Sequence, residues 1–74
     1  MATVEVVGIL RDYVKHRVDE IGPMEGLAIA AVIQKLGLPT DLVAFVMVNG
    51  HQKPKTYVIE PGDTVKLIPF VGGG

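Results

Sequence analysis

Residues 29–50 read IAAVIQKLGLPTDLVAFVMVNG, and the spacing of apolar side chains changes inside this stretch. In its first half Ile29, Val32, Ile33 and Leu36 fall at i, i+3, i+4 and i+7, which lines one side of an α-helix. Ala28, Ala30 and Ala31 support the helix, Gly37 supplies a C-terminal stop, and Pro39 cannot continue it. Its start is less well marked, because no Ser, Thr, Asp or Asn sits just before Leu27 to act as N-cap. From Leu42 the pattern gives way to LVAFVMV, a run of β-branched and other apolar residues that stops at Asn49-Gly50, a pair suited to the left-handed backbone of a tight turn. One short amphipathic helix leading into a strongly apolar strand predicts an α+β domain.

Working outward, residues 3–7 (TVEVV) alternate as a half-buried strand, with Val4 and Val6 on one side. Residues 16–21 (HRVDEI) alternate more weakly and close at Gly22-Pro23, so they are expected to pair with the first strand as a hairpin. Beyond Gly50 a polar loop, HQKPK, leads to an expected strand at residues 56–59 (TYVI). Glu60-Pro61-Gly62-Asp63 is a second turn, and residues 64–68 form the last strand, with Val65 and Leu67 inward and Lys66, Ile68 and Phe70 on the opposite face. The expected order is β-β-α-β-β-β, a mixed sheet of four to five strands covered on one face by one helix. That is the β-grasp arrangement in outline.

A single helix covers one sheet face only, so apolar residues predicted on the other face are informative. If Val46 and Val48 join Val65 and Leu67 in the core, then Phe45 and Met47 lie on the open face with Ile68 and Phe70. These four side chains are the expected partner-docking patch.

The composition narrows the chemistry. Seventy-four residues, 49% hydrophobic and 20% charged, suit one small globular domain. The absence of cysteine removes disulfides, thiolate nucleophiles and cysteine-based metal sites, and fits a reducing cytoplasm, the expected location. Residues 1–7 contain Glu5 and lack the basic start of a secretory signal, and no apolar run reaches membrane-spanning length. A net charge of -1 gives no general attraction to nucleic acid or to an anionic membrane. His16 and His51 stand alone, so no metal site is expected. Asp19 and Glu20 are adjacent, which in a strand sends them to opposite faces and rules out a catalytic carboxylate pair. Tyr13 and Tyr57 read as packing residues with wet hydroxyls, and Lys53 and Lys55 as a solvated loop. No catalytic residues of its own are expected.

The C-terminus carries the chemical interest. Three of nine glycines occupy the last three positions, where they have no packing value, so residues 1–71 are expected to form the domain and 72–74 a flexible tail. Such a tail extends about 10 Å and enters channels too narrow for side chains. It ends in a carboxylate with a reference pKa of about 3.5. A carboxylate becomes a good acyl donor once adenylated, and sulfide or a persulfide then displaces AMP to leave a thiocarboxylate. No GxxxxGK[ST] or GxGxxG motif is present to bind ATP, so the activating site is expected on another protein.

The tail PFVGGG, the preceding EPGDTVKLIP, the strand end VMVNG and the early ILRDY together resemble the small ubiquitin-like sulfur carriers of thiamin and molybdopterin biosynthesis, the ThiS and MoaD type. The resemblance runs over essentially the whole chain. It implies a β-grasp fold, adenylation of Gly74 by an E1-like enzyme with ATP, thiocarboxylate formation there, and transfer to a sulfur-accepting synthase subunit. It also implies that Gly72 and Gly73 thread the partner's channel while the open apolar face docks the activating enzyme. Leu10-Arg11-Asp12 and the proline of IPFV lean toward the molybdopterin branch, whereas the triple glycine leans toward the thiamin branch. Two alternatives stand beside it: a protein modifier conjugated through Gly74 to lysines, whose tail chemistry starts identically, and a non-catalytic β-grasp binding module of the TGS type, which shares an NG followed by G-D-x-V.

Overall fold

The computed structural model describes residues 2–70. Four strands, β1 (Thr3–Val6), β2 (Val43–Val48), β3 (His51–Gln52) and β4 (Thr64–Pro69), form one sheet in the order β1-β4-β2-β3, and one helix, α1 (Ile29–Leu36), packs on it. β1 runs parallel to β4, while β2 is antiparallel to both β4 and β3. Parallel neighbours cannot be joined by a tight turn, and here the long connection between β1 and β4 carries the helix. This is the β-grasp architecture expected from the sequence.

The core lies between α1 and the sheet. Ile29, Val32, Ile33 and Leu36 meet Val43, Val46 and Val48 of β2 and Val65 and Leu67 of β4, and all are buried. The period of the helix and the inward set of each strand are therefore as read. α1 ends at Gly37, which adopts φ 76°. Its N–H donates to the Gln34 carbonyl (3.0 Å), and the Leu38 N–H donates to the Ile33 carbonyl (3.1 Å), an arrangement that satisfies the last turn and buries Leu38.

The weak N-terminal signal of the helix also has an explanation. Ala28 occupies the cap position with no side-chain bond. The Ile29 and Ala30 amides instead donate to the backbone carbonyls of Tyr57 and Lys55, both at 2.9 Å. A distant segment caps the helix, where most helices use a local side chain.

That same segment accounts for one correction. Residues 56–59 are not a sheet strand: the Ile59 N–H donates to the Leu27 carbonyl, the Gly26 N–H to the Ile59 carbonyl, and Val58 makes an isolated bridge to Ala28. Its backbone is committed to the approach to the helix. A second correction concerns residues 16–21, which form no hairpin with β1. Val18–Glu20 is a 3-10 turn closed by a Glu20 N–H to Arg17 carbonyl bond, an Arg17 N–H to Glu20 Oε1 bond and an Arg17–Asp19 ion pair at 3.0 Å. Upstream, the Lys15 and His16 amides donate to the Leu36 carbonyl. Local polar bonds outcompete a sheet ladder in a weakly alternating run. Asp19 and Glu20 thus sit on a turn, not a strand. Conversely, His51–Gln52, read as loop, pairs with Met47 and Val48 around Asn49 (φ 54°) and Gly50 (φ 83°), the positive-φ pair of a two-residue hairpin. The order is β-α-β-β-β.

Among the described glycines, Gly37 has the least freedom to change. A Cβ there would lie 2.7 Å from Lys15 Cβ, on a backbone already left-handed, whereas at Gly50 nothing lies within 4 Å. Gly50→Ala is expected to cost about 1 kcal/mol from φ alone, and Gly37→Ala measurably more. Urea denaturation of the two variants checks this, and an equal cost would contradict the close approach.

Candidate functional site

The open face is built by the register of β2 against β4. Phe45 lies opposite Ile68, Val46 opposite Leu67, Met47 opposite Lys66 and Val48 opposite Val65. Side chains alternate across a strand, so burying Val46, Val48, Val65 and Leu67 under α1 turns Phe45, Met47, Lys66 and Ile68 to the other side. Phe45 is 47% exposed and Phe70 63%, while Met47 and Ile68 are half-buried. Beside them Met47, Gly50, Thr64, Lys66 and Ile68 line a shallow depression of about 250 Å³.

A bulge adjusts this face. The register shifts between Val43 and Phe45, so Val43 pairs with Pro69 and Phe45 with Ile68. One extra residue on β2 lets Val43 and Val46, three positions apart, both reach the core. Without it the end of β2 would turn either Val43 or Phe45 to the wrong side.

At the opposite end of the β2–β4 pair a polar latch fixes the register. Asp63 is 6% exposed, and its carboxylate is the centre of this latch. It accepts from Asn49 Nδ2 (2.8 Å), the Tyr57 hydroxyl (2.7 Å) and the Glu60 N–H (2.9 Å). Asn49 in turn accepts from the Thr64 N–H through Oδ1 (2.9 Å), and its own N–H donates to the Thr64 carbonyl (2.9 Å). Sequence reasoning saw Asn49 and Asp63 as turn formers and Tyr57 as a packing residue with a wet hydroxyl. The hydroxyl is instead bound to Asp63. A signal did exist, in a tyrosine and an Asn-Gly turn both preceding a Pro-Gly-Asp turn, but nothing in periodicity links the three.

These bonds set the titration of the pair. The Glu60 N–H, then the Tyr57 and Asn49 donors, hold the Asp63 carboxyl below the usual carboxylate range, against an opposing effect of burial. Donating to Asp63, with some burial, pushes Tyr57 up to about 12.

His16 and His51 are exposed, and no group of three or more His, Cys, Asp or Glu side chains among the described residues is placed to hold a metal. Lys53 stands 5.6 Å over the Tyr57 ring, and Lys55 Nζ donates to the Thr40 carbonyl (2.9 Å), so both lysines have contacts within the domain. No helix among the described residues is long and apolar enough to cross a membrane. Val71 and the expected reactive tail, Gly72, Gly73 and Gly74, lie outside the described residues.

A one-helix β-grasp domain with an apolar sheet face left open is a ubiquitin-like domain. Residues 4–74 match the model of the ThiS family, and the chain belongs to that family of small ubiquitin-like sulfur carriers, which are not themselves enzymes. Comparison with curated proteins and with solved structures returns no match.

The latch predicts a pH dependence. Folding lowers the Asp63 pKa, so its contribution is full above the unfolded value of about 3.9 and is lost as pH falls through the folded value. Folding raises Tyr57, so its contribution is full below about 10 and is lost as pH rises through about 12. Denaturation midpoints from acid to neutral pH should fall more steeply at the acid end for the parent protein than for Asp63→Asn, which is less stable at neutral pH. Parallel curves would contradict the latch.

Proposed function

We propose that this chain carries sulfur on its C-terminal glycine. An E1-like partner adenylates Gly74 with ATP, a sulfur donor converts the adenylate to a thiocarboxylate, and a synthase subunit takes the sulfur in molybdopterin or thiamin biosynthesis. The observation that carries this reading is the family match, which runs through the tail to residue 74. The exposed face of Phe45, Met47, Ile68 and Phe70 supports it, because a carrier with no ATP-binding motif of its own must dock on the enzyme that has one.

The chemistry follows from the terminal carboxylate. Its oxygen attacks the α-phosphorus of ATP, pyrophosphate leaves, and the carbonyl carbon gains AMP as leaving group. Hydrosulfide attack expels AMP and a proton, leaving a thiocarboxylate. If a persulfide attacks instead, a second thiol must cleave the resulting acyl disulfide to release the same product. Gly72 and Gly73 serve as a slender lead to the partner's active site. Phe45 and Phe70 serve as anchors, since exposed aromatic side chains at the centre of a patch contribute most when desolvated.

Incubation with the cognate E1-like enzyme, ATP and a sulfur source should add one oxygen-to-sulfur replacement at Gly74, read by intact-mass and tail-peptide spectrometry. Recovery of Gly74 in amide linkage to lysines of other proteins, with no thiocarboxylate, would contradict the proposal and favour a modifier. In the same system Phe45→Asp and Phe70→Asp should each weaken binding to the enzyme at least tenfold, about 1.4 kcal/mol. Each should shift unfolding by no more than about 0.5 kcal/mol.

A further inference from the structure

The missing hairpin partner leaves β1 at the edge of the sheet. Thr3 N–H donates to the Asp63 carbonyl (2.9 Å) and Val7 N–H to the Leu67 carbonyl (3.1 Å). Backbone groups alternate in direction along a strand, so those of Val4 and Val6 face away from β4. Among the described residues, no backbone hydrogen bond from the neighbouring segments ends on either residue. Such a row of unpaired donors and acceptors is a template for another strand.

Beside this edge runs an open apolar trough of about 1010 Å³. Val4, Val6, Val14, Val18 and Met24 supply apolar lining, and Arg11 also lines it. The charges at its rim are unevenly satisfied. Asp19 is paired with Arg17 at 3.0 Å, and Glu25 Oε2 accepts from the Ala2 N–H at 2.6 Å. The Arg11 guanidinium meets only the Gly8 carbonyl, at 3.4 Å, and has no carboxylate partner among the described residues.

We propose that the β1 edge accepts an extended segment of a partner protein as a further strand. Its backbone pairs with Val4 and Val6, apolar side chains at alternate positions enter the trough, and a carboxylate meets Arg11. β-Strand addition supplies affinity through the main chain and selectivity through alternate side chains. Arg11 lines the trough without a carboxylate partner among the described residues, which favours a segment that carries one. The site lies at β1, on the far side of β4 from Phe45 and Met47, and does not rest on the sulfur-carrier reading.

Residue-resolved hydrogen exchange on the full chain tests this, with a blocked hexapeptide that alternates valine and threonine and ends in aspartate as the probe. Without peptide, the Val4 and Val6 amides should exchange at least about tenfold faster than that of Glu5, which faces β4. Saturating peptide should slow both at least about tenfold. Arg11→Glu should weaken peptide binding, and a peptide ending in lysine should restore it. Val6→Pro, which deletes one outward donor and leaves the ladder to β4 intact, should also weaken binding; should that variant not fold, the exchange measurement on the parent chain decides. Three results would overturn the proposal. Val4 and Val6 amides already as slow as Glu5 would show that residues 16–21 occupy the edge. Protection that grows with protein concentration would assign it to a second copy. Unchanged exchange at millimolar peptide would show that the edge takes no strand.

Discussion

The antiparallel register of β2 on β4 is the constraint on which the rest of the domain depends. It places Val46 and Val48 with Val65 and Leu67 beneath α1, and by the same alternation it turns Phe45 and Met47 outward beside Ile68. Core and open face are two sides of one pairing. A slip by one residue would turn one strand over against the other, sending either Val46 and Val48 to the open face or Lys66 into the core. Two devices oppose such a slip. The bulge near Val43 adjusts one end of the pair, and the Asn49–Asp63–Tyr57 bonds hold the other. The latch also reaches beyond the sheet. Through Tyr57 it holds the segment whose carbonyls cap α1, so the two layers share one polar anchor.

How much of this was legible follows from where each residue's partners lie. α1, the Asn49-Gly50 turn and the inward set of β4 were legible because their signals are local: a period, a positive-φ pair, an alternation. Residues 56–59 looked like a strand because Tyr57, Val58 and Ile59 suit one, but their hydrogen bonds go to residues 26–30, a pairing no local pattern announces. Residues 16–21 misled for the opposite reason. A capping exchange between Arg17 and Glu20 offered the backbone local partners that the weak alternation did not outweigh.

The open face was legible from a count: with one helix, only one side of the strands can be covered, and LVAFVMV is apolar on both. The latch was not. Its members lie at positions 49, 57 and 63, and only the folded sheet brings an amide, a phenol and a carboxylate together. Nor was the free edge of β1 legible, since it exists only because the expected hairpin does not form. The ThiS-family match fits this small domain, with its apolar core on one side of the sheet and Phe45 turned to the other.

The central claim is that the β2–β4 register presents a ready face for the activating enzyme. Cross-saturation NMR with an E1-like partner tests it most directly, because magnetisation passes only to protons at the interface. Signals of Phe45, Met47, Ile68 and Phe70 should lose intensity, while Gln34 and Lys35, exposed on α1, keep theirs. Saturation of Gln34 and Lys35 with those four residues untouched would contradict the account.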